Sequence, residues 1–224
     1  MKIESFTQTD LGPALAAQVA DDLRAAVEAT DRASIAVPGG STPGPFLSAL
    51  ANESLDWKKV SATLSDERCV PSDHERSNQR LVTEHLLTGP AEAAEFVPLY
   101  SRFQELSEVE AALNEKILPL DVCVLGMGND MHTASLFPGT RGLKNLLDLN
   151  AERLVDFVSP PGAEEPRVTL TAKALASAKH TYLLIKGADK RTALDRAMGT
   201  EDREAAPIRA ILESAQSPII FYAD

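Results

Sequence analysis

Cysteine is scarce in this chain: of 224 residues only Cys69 and Cys123 are thiols, in dissimilar contexts and without CxxC spacing. That argues against a disulfide framework and against a zinc site, and two reduced thiols fit a cytosolic protein. No stretch approaches the ~18 apolar residues of a membrane helix. Met1 to Pro13 mixes charged and polar residues and lacks the apolar core of a signal peptide. Positive charge is in deficit, with 22 Lys and Arg against 33 Asp and Glu and a net charge of −11. Binding to nucleic acid rests on basic patches, so that class of partner is disfavoured. A small anionic ligand is not, because salt screens distant charges over roughly 8 Å and a few local Arg and Lys can dominate a pocket. The hydrophobic share of 44% excludes a disordered chain.

What is present is an alternation of strand-like and helix-like runs. Residues 14–29 carry Ala, Leu and Val at helical spacing. Short apolar runs at 34–37, 60–64, 121–125, 167–170, 181–185 and 218–222 read as strands. Further helices are expected from about Pro43, over 77–87, 105–117 and 171–178, and from Ala188 to about Met198. This order implies a mainly parallel sheet covered on both faces, in one α/β domain over residues 1–224. Residues 159–166, SPPGAEEP, read as a rim loop.

Two loops stand out. Val122 to Leu125 is the clearest buried strand, and it runs into GMGNDMHTASLFPG at 126–139. Gly126 and Gly128 permit close backbone approach to a ligand, and Asp130 and His132 place a carboxylate beside an imidazole. Thr133, Ala134 and Ser135 are small enough for a following turn of helix to sit against a bound group. Strand ends of this kind are where open α/β sheets place their sites. The second loop, Pro38 to Pro43, offers Gly39, Gly40, Ser41 and Thr42 at the start of a helix, where N–H groups favour an anion. An ordinary turn with an N-cap is the competing reading. The loop has neither GxxxxGK[ST] nor GxGxxG spacing, which leaves nucleotide binding poorly supported.

Taken in order, VPGGSTP at 37–43, SDERCVP at 65–71 with Ser77-Asn78, the 125–139 segment, PRVTLT at 166–171 and LLIKGADKR at 183–191 resemble the 6-phosphogluconolactonase family over nearly the whole chain. The resemblance implies a Rossmann-like sheet and hydrolysis of 6-phosphogluconolactone to 6-phosphogluconate. It also implies no metal or organic cofactor; the expected partner is a small phosphosugar lactone, with no nucleic acid or membrane, and a monomer is favoured. His132 maps onto the family's general base, and a helix mouth beside it would favour the neutral imidazole. Asp130 either orients that ring, holds a substrate hydroxyl, or is a turn carboxylate. By the same resemblance Arg68, Arg167 and Lys186 bind phosphate and carboxylate-side oxygens, with Gly39, Gly40, Ser41, Thr42 and Gly128 in the substrate loops. Lys190 and Arg191 read as a solvated helix face, and Asp66 and Glu67 as partners for Arg68. His74, His85 and His180 fall outside the matched motifs.

One residue departs from the family pattern. Met131 stands where the family has glycine. If that position needs positive φ, methionine costs on the order of 1 kcal/mol and tilts His132; if not, it merely narrows the pocket. Two alternatives to the lactonase are a sugar-phosphate isomerase or deaminase on the same fold and a non-catalytic sugar-phosphate sensor. The HTASLFP continuation favours the lactonase.

Overall fold

The first helix shows how local sequence becomes core. In Leu11–Thr30 (α1) the residues Leu15, Val19, Leu23 and Ala26 recur at helical spacing and are buried. The helix stops at Asp31, in the left-handed region at φ 63°, whose N–H closes on the Val27 carbonyl. A computed structural model describes all 224 residues. Before α1 lies β1 (Lys2–Phe6), and after it come β2 (Ala33–Val37), α2 (Gly44–Ala51), β3 (Val60–Leu64) and β4 (Asp66–Arg68). Then follow α3 (Asn78–His85), β5 (Glu95–Val97), α4 (Leu106–Lys116) and β6 (Val122–Leu125). The second half contains α5 (Leu143–Leu146), β7 (Val155–Val158), β8 (Arg167–Leu170) and α6 (Ala172–Leu175). It closes with β9 (His180–Lys186), α7 (Ala188–Gly199), α8 (Pro207–Ser214) and β10 (Ile219–Ala223).

Seven strands form a sheet in the order β1-β10-β9-β6-β2-β3-β5. Every neighbouring pair is parallel. Successive residues of a strand point to opposite faces, yet all of β2 and β6 is buried. Both faces are therefore covered, by α1 and α2 packed together in one place and by α7 with α8 in another. From β2 the chain builds outward through β3 and β5, then returns to β6 on the other side of β2 and continues to β9 and β10. That reversal leaves a crevice at the carboxyl ends of β2 and β6, where ligands bind in open α/β sheets.

The structure departs from the sequence-based expectations in three places. Arg167–Leu170, expected among the parallel strands, lies in a separate antiparallel sheet of order β4-β8-β7. The helix expected over 171–178 shrinks to the single turn Ala172–Leu175. No helix follows His132: residues 133–136 form a tight turn closed by Leu136 N–H to the Thr133 carbonyl at 2.9 Å, and the next helix begins only at Leu143. Strands β1, β4, β5 and β7 and helices α5 and α8 were not anticipated.

Candidate active site

The loop after β6 folds back on itself. Met131 N–H donates to the Gly128 carbonyl at 3.0 Å, and Gly128 N–H donates to the His132 carbonyl at 2.9 Å. Thr133 Oγ1 donates to the Gly126 carbonyl at 2.8 Å. So tight a reversal puts Met131 at φ 67° and Ala134 at φ 48°. Met131 thus occupies the backbone region that favours glycine, and its side chain is buried in the core instead of lining the cleft. It is strained without narrowing the pocket. Its carbonyl accepts the Ile208 N–H of α8 at 3.2 Å, which ties the loop to the fold behind it.

This loop presents His132. The imidazole Nδ1 stands 2.5 Å from Asp130 Oδ1, and the ring stacks on Phe137 at 3.7 Å between centroids and 19° between planes. Asp130 can only accept when ionised, so Nδ1 carries the hydrogen and Nε2 keeps its lone pair. Burial holds the imidazole below its ordinary pKa against the opposing pull of Asp130. Burial thus supplies the preference for the neutral form that a helix dipole was expected to give. Gly128 has no room for a side chain: a Cβ there would lie 2.2 Å from both Asp130 Oδ1 and His132 Nδ1. Its N–H is already engaged, so Gly128 contributes clearance and not a donor to a ligand. Asp130 stands behind the ring and is not among the residues lining the cleft.

The loop after β2 is built differently. None of the N–H groups of Gly39, Gly40, Ser41 and Thr42 donates to a protein acceptor. Gly40 lies at φ 97°, and a Cβ at Gly39 would fall 2.0 Å from Asn78 Oδ1. Asn78 is itself fixed by donating to the Asp66 carbonyl at 2.8 Å. An open row of backbone donors beside a helix N-terminus suits an anion.

The small sheet and β9 complete the walls. Arg68 and Arg167 are direct cross-strand partners in the β4–β8 ladder. Arg167 lies 5.4 Å from the Phe137 ring centroid and 3.8 Å from Asp66 Oδ2. Asp66 also accepts from Ser135 Oγ at 2.5 Å, which joins this sheet to the His132 loop. Glu67 does not pair with the Arg68 guanidinium; its carboxylate accepts the N–H groups of Arg68, Asn78 and Gln79 and the Ser77 hydroxyl, capping α3. Lys186 ends β9, and Lys190, in the first turn of α7, lines the same cleft instead of facing bulk solvent alone. Arg191 points to Asp195.

The cleft is open to solvent on one side and has a volume of about 240 Å³, room for a phosphosugar-sized molecule. Arg68, Arg167, Lys186 and Lys190 line it against the single carboxylate of Asp66, so a strongly acidic chain carries a basic pocket. The sequence reading missed Asp66, Asn78, Phe137 and Lys190 as parts of the site. For Lys190 the available signal was its place just after the strand end at Lys186 and Gly187, at the start of the next helix. His74 and His180 are exposed, and His85 is hydrogen-bonded to Ser48, all outside the cleft. No group of three or more His, Cys, Asp or Glu is placed to hold a metal ion.

A family model described as glucosamine-6-phosphate isomerases/6-phosphogluconolactonase matches residues 7–220. A 6-phosphogluconolactonase of Rhizobium meliloti is 44% identical over 95% of this chain and 93% of its own length. One from Pseudomonas aeruginosa is 42% identical over 89% of this chain and 86% of its own. Among solved structures, a 6-phosphogluconolactonase from Shewanella baltica superposes with a TM-score of 0.95 at 36% identity, covering 100% of this chain and 98% of that one.

Proposed function

Because the chain belongs to the glucosamine-6-phosphate isomerase/6-phosphogluconolactonase family, we propose that it hydrolyses 6-phospho-D-glucono-1,5-lactone to 6-phospho-D-gluconate, the lactone-opening step of the oxidative pentose phosphate pathway. The observation that carries this reading is His132, held through Nδ1 by Asp130 with Nε2 free, at the edge of a basic cleft. Nε2 takes a proton from water as the water oxygen bonds to the lactone carbonyl carbon, and the carbonyl electrons move onto its oxygen. The tetrahedral oxyanion then collapses and the ring C–O bond breaks. The imidazolium returns its proton to the departing ring oxygen, and the new carboxylic acid ionises. Asp130 orients the ring and stabilises its cationic form. General-base help of this kind is typically worth ~10²–10⁴-fold.

The open 39–42 loop, Lys186, Arg68 and Arg167 hold the phosphate and the carboxylate-side oxygens; guanidinium groups suit forked contacts, and lysine acts as a point charge. No helix is long and apolar enough to cross a membrane. The free thiols of Cys69 and Cys123 fit a reducing compartment, and we place the enzyme in the cytoplasm. The test is lactone opening by the purified protein against the spontaneous-hydrolysis blank, with ammonia release from glucosamine 6-phosphate measured beside it. Acceleration of the first alone supports the lactonase; ammonia release, or binding without turnover, overturns it.

A further inference from the structure

Directly opposed like charges destabilise an antiparallel ladder, and Arg68 faces Arg167 across the β4–β8 pair. The carboxylates nearest to hand are therefore competitors for any substrate anion. Glu165 is one of them: it lies two residues before Arg167, its side chain is only 13% exposed, and its Oε1 is buried without a partner. What keeps it engaged is Arg76, from the segment between β4 and α3. The Arg76 guanidinium takes Glu165 through Nη2 and Glu164 through Nη1. The Arg76 backbone carbonyl accepts Arg68 Nη1. One residue thus fixes the direction of Arg68 and occupies the acid nearest Arg167 in sequence.

We propose that Arg76 is a positioning residue that sequesters Glu165, and so keeps Arg68 and Arg167 free for the anionic substrate. The inference rests on the lactonase reading of those two arginines as substrate contacts. Burial pulls the Arg167 guanidinium below its ordinary value while Asp66 and Glu165 act in the opposite sense, so the charge of Glu165 already reaches it. Released from Arg76, the Glu165 carboxylate turns from a bystander into an internal ligand for the two arginines. Substrate must then displace it. The cost falls on binding, because His132 and Asp130 stand on another loop.

The experiment measures KM and kcat for lactone opening, and the Kd of 6-phosphogluconate by calorimetry. The parent is compared with Arg76→Ala, Glu165→Gln and the double variant. Arg76→Ala raises KM and Kd about tenfold, the loss expected for one charged contact, with kcat within about twofold. Glu165→Gln alone changes little, and adding it to Arg76→Ala restores KM to within about threefold of the parent. Arg76→Lys, which keeps a cation for Glu165, stays near the parent. An unchanged KM in Arg76→Ala overturns the inference. So does a raised KM that Glu165→Gln fails to rescue, since Arg76 would then act by direct contact or by holding the loop. Arg167→Ala run beside them separates the two claims: no effect there overturns the substrate reading, whereas an effect there with none at Arg76 overturns the sequestration alone.

Discussion

The loops after β2 and β6 leave neighbouring strands at the same edge of the sheet and solve opposite problems. The β6 loop satisfies its own backbone, with Met131, Gly128 and Thr133 all bonded within it, and shows the cleft a side chain, His132. The β2 loop leaves the N–H groups of Gly39 to Thr42 unspent and shows the cleft its backbone. The general base proposed at His132 must be one oriented lone pair, and a loop closed by its own hydrogen bonds suits that role. The proposed anion anchor needs several converging donors, and an open loop of small residues suits that role. The contrast forecasts opposite sensitivities: side-chain truncation harms the β6 loop, and backbone disturbance harms the β2 loop.

The largest expected effect is at His132. His132→Ala lowers kcat by at least ~10²-fold with an unchanged melting temperature, since the removed ring is a partly exposed group at the cleft. Steady-state assays with a thermal melt check this. Next comes Gly39→Ala. Its Cβ would meet the Asn78 amide 2.0 Å away, so loop and amide must part. The expected result is a KM raised by about tenfold or more with a smaller change in kcat, as for a lost charged contact. Ser41→Ala in the same loop, which keeps the backbone, changes KM by no more than about threefold. Equal damage from the two would break the contrast.

The pH dependence comes next. In the proposed mechanism His132 acts as neutral imidazole, and burial lowers its pKa. Activity is therefore lost on the acid side, and the limb of kcat/KM falls below the ordinary histidine value of about 6.5. A limb above that value would mean that the Asp130 charge outweighs burial.

The smallest effect is at Met131. Glycine there relieves strain of about 1–2 kcal/mol, but removes a buried side chain worth about 1.5–3 kcal/mol and adds unfolded-state entropy. Burial wins, so Met131→Gly melts lower. Turnover stays within about twofold, because His132 already rests on Asp130 with methionine in place. A several-fold rise in turnover would show that strain at 131 does tilt the imidazole.

Much of this was legible in the sequence, for a physical reason. Strands buried on both faces, such as Val122–Leu125, are unbroken apolar runs, and the switch to glycine marks where backbone must come close. Asp66–Arg68 carries no such signal: three charged residues become a strand only because β8 pairs with them. That ladder brings Arg68 opposite Arg167 and buries Asp66, and nothing local to either segment announces it. Lys2–Phe6 and Glu95–Val97 are short edge strands, whose mixed composition hides them. The acid beside the imidazole was visible, but which side of the ring it occupies was not, since that depends on the positive φ at Met131.

In the proposed mechanism, anchoring and proton transfer reside on separate loops. That separation is tested most directly by calorimetric binding of 6-phosphogluconate to His132→Ala. The expected Kd lies within about threefold of the parent in a variant that has lost its turnover. Affinity that falls in step with activity would contradict it and make His132 part of the anchor.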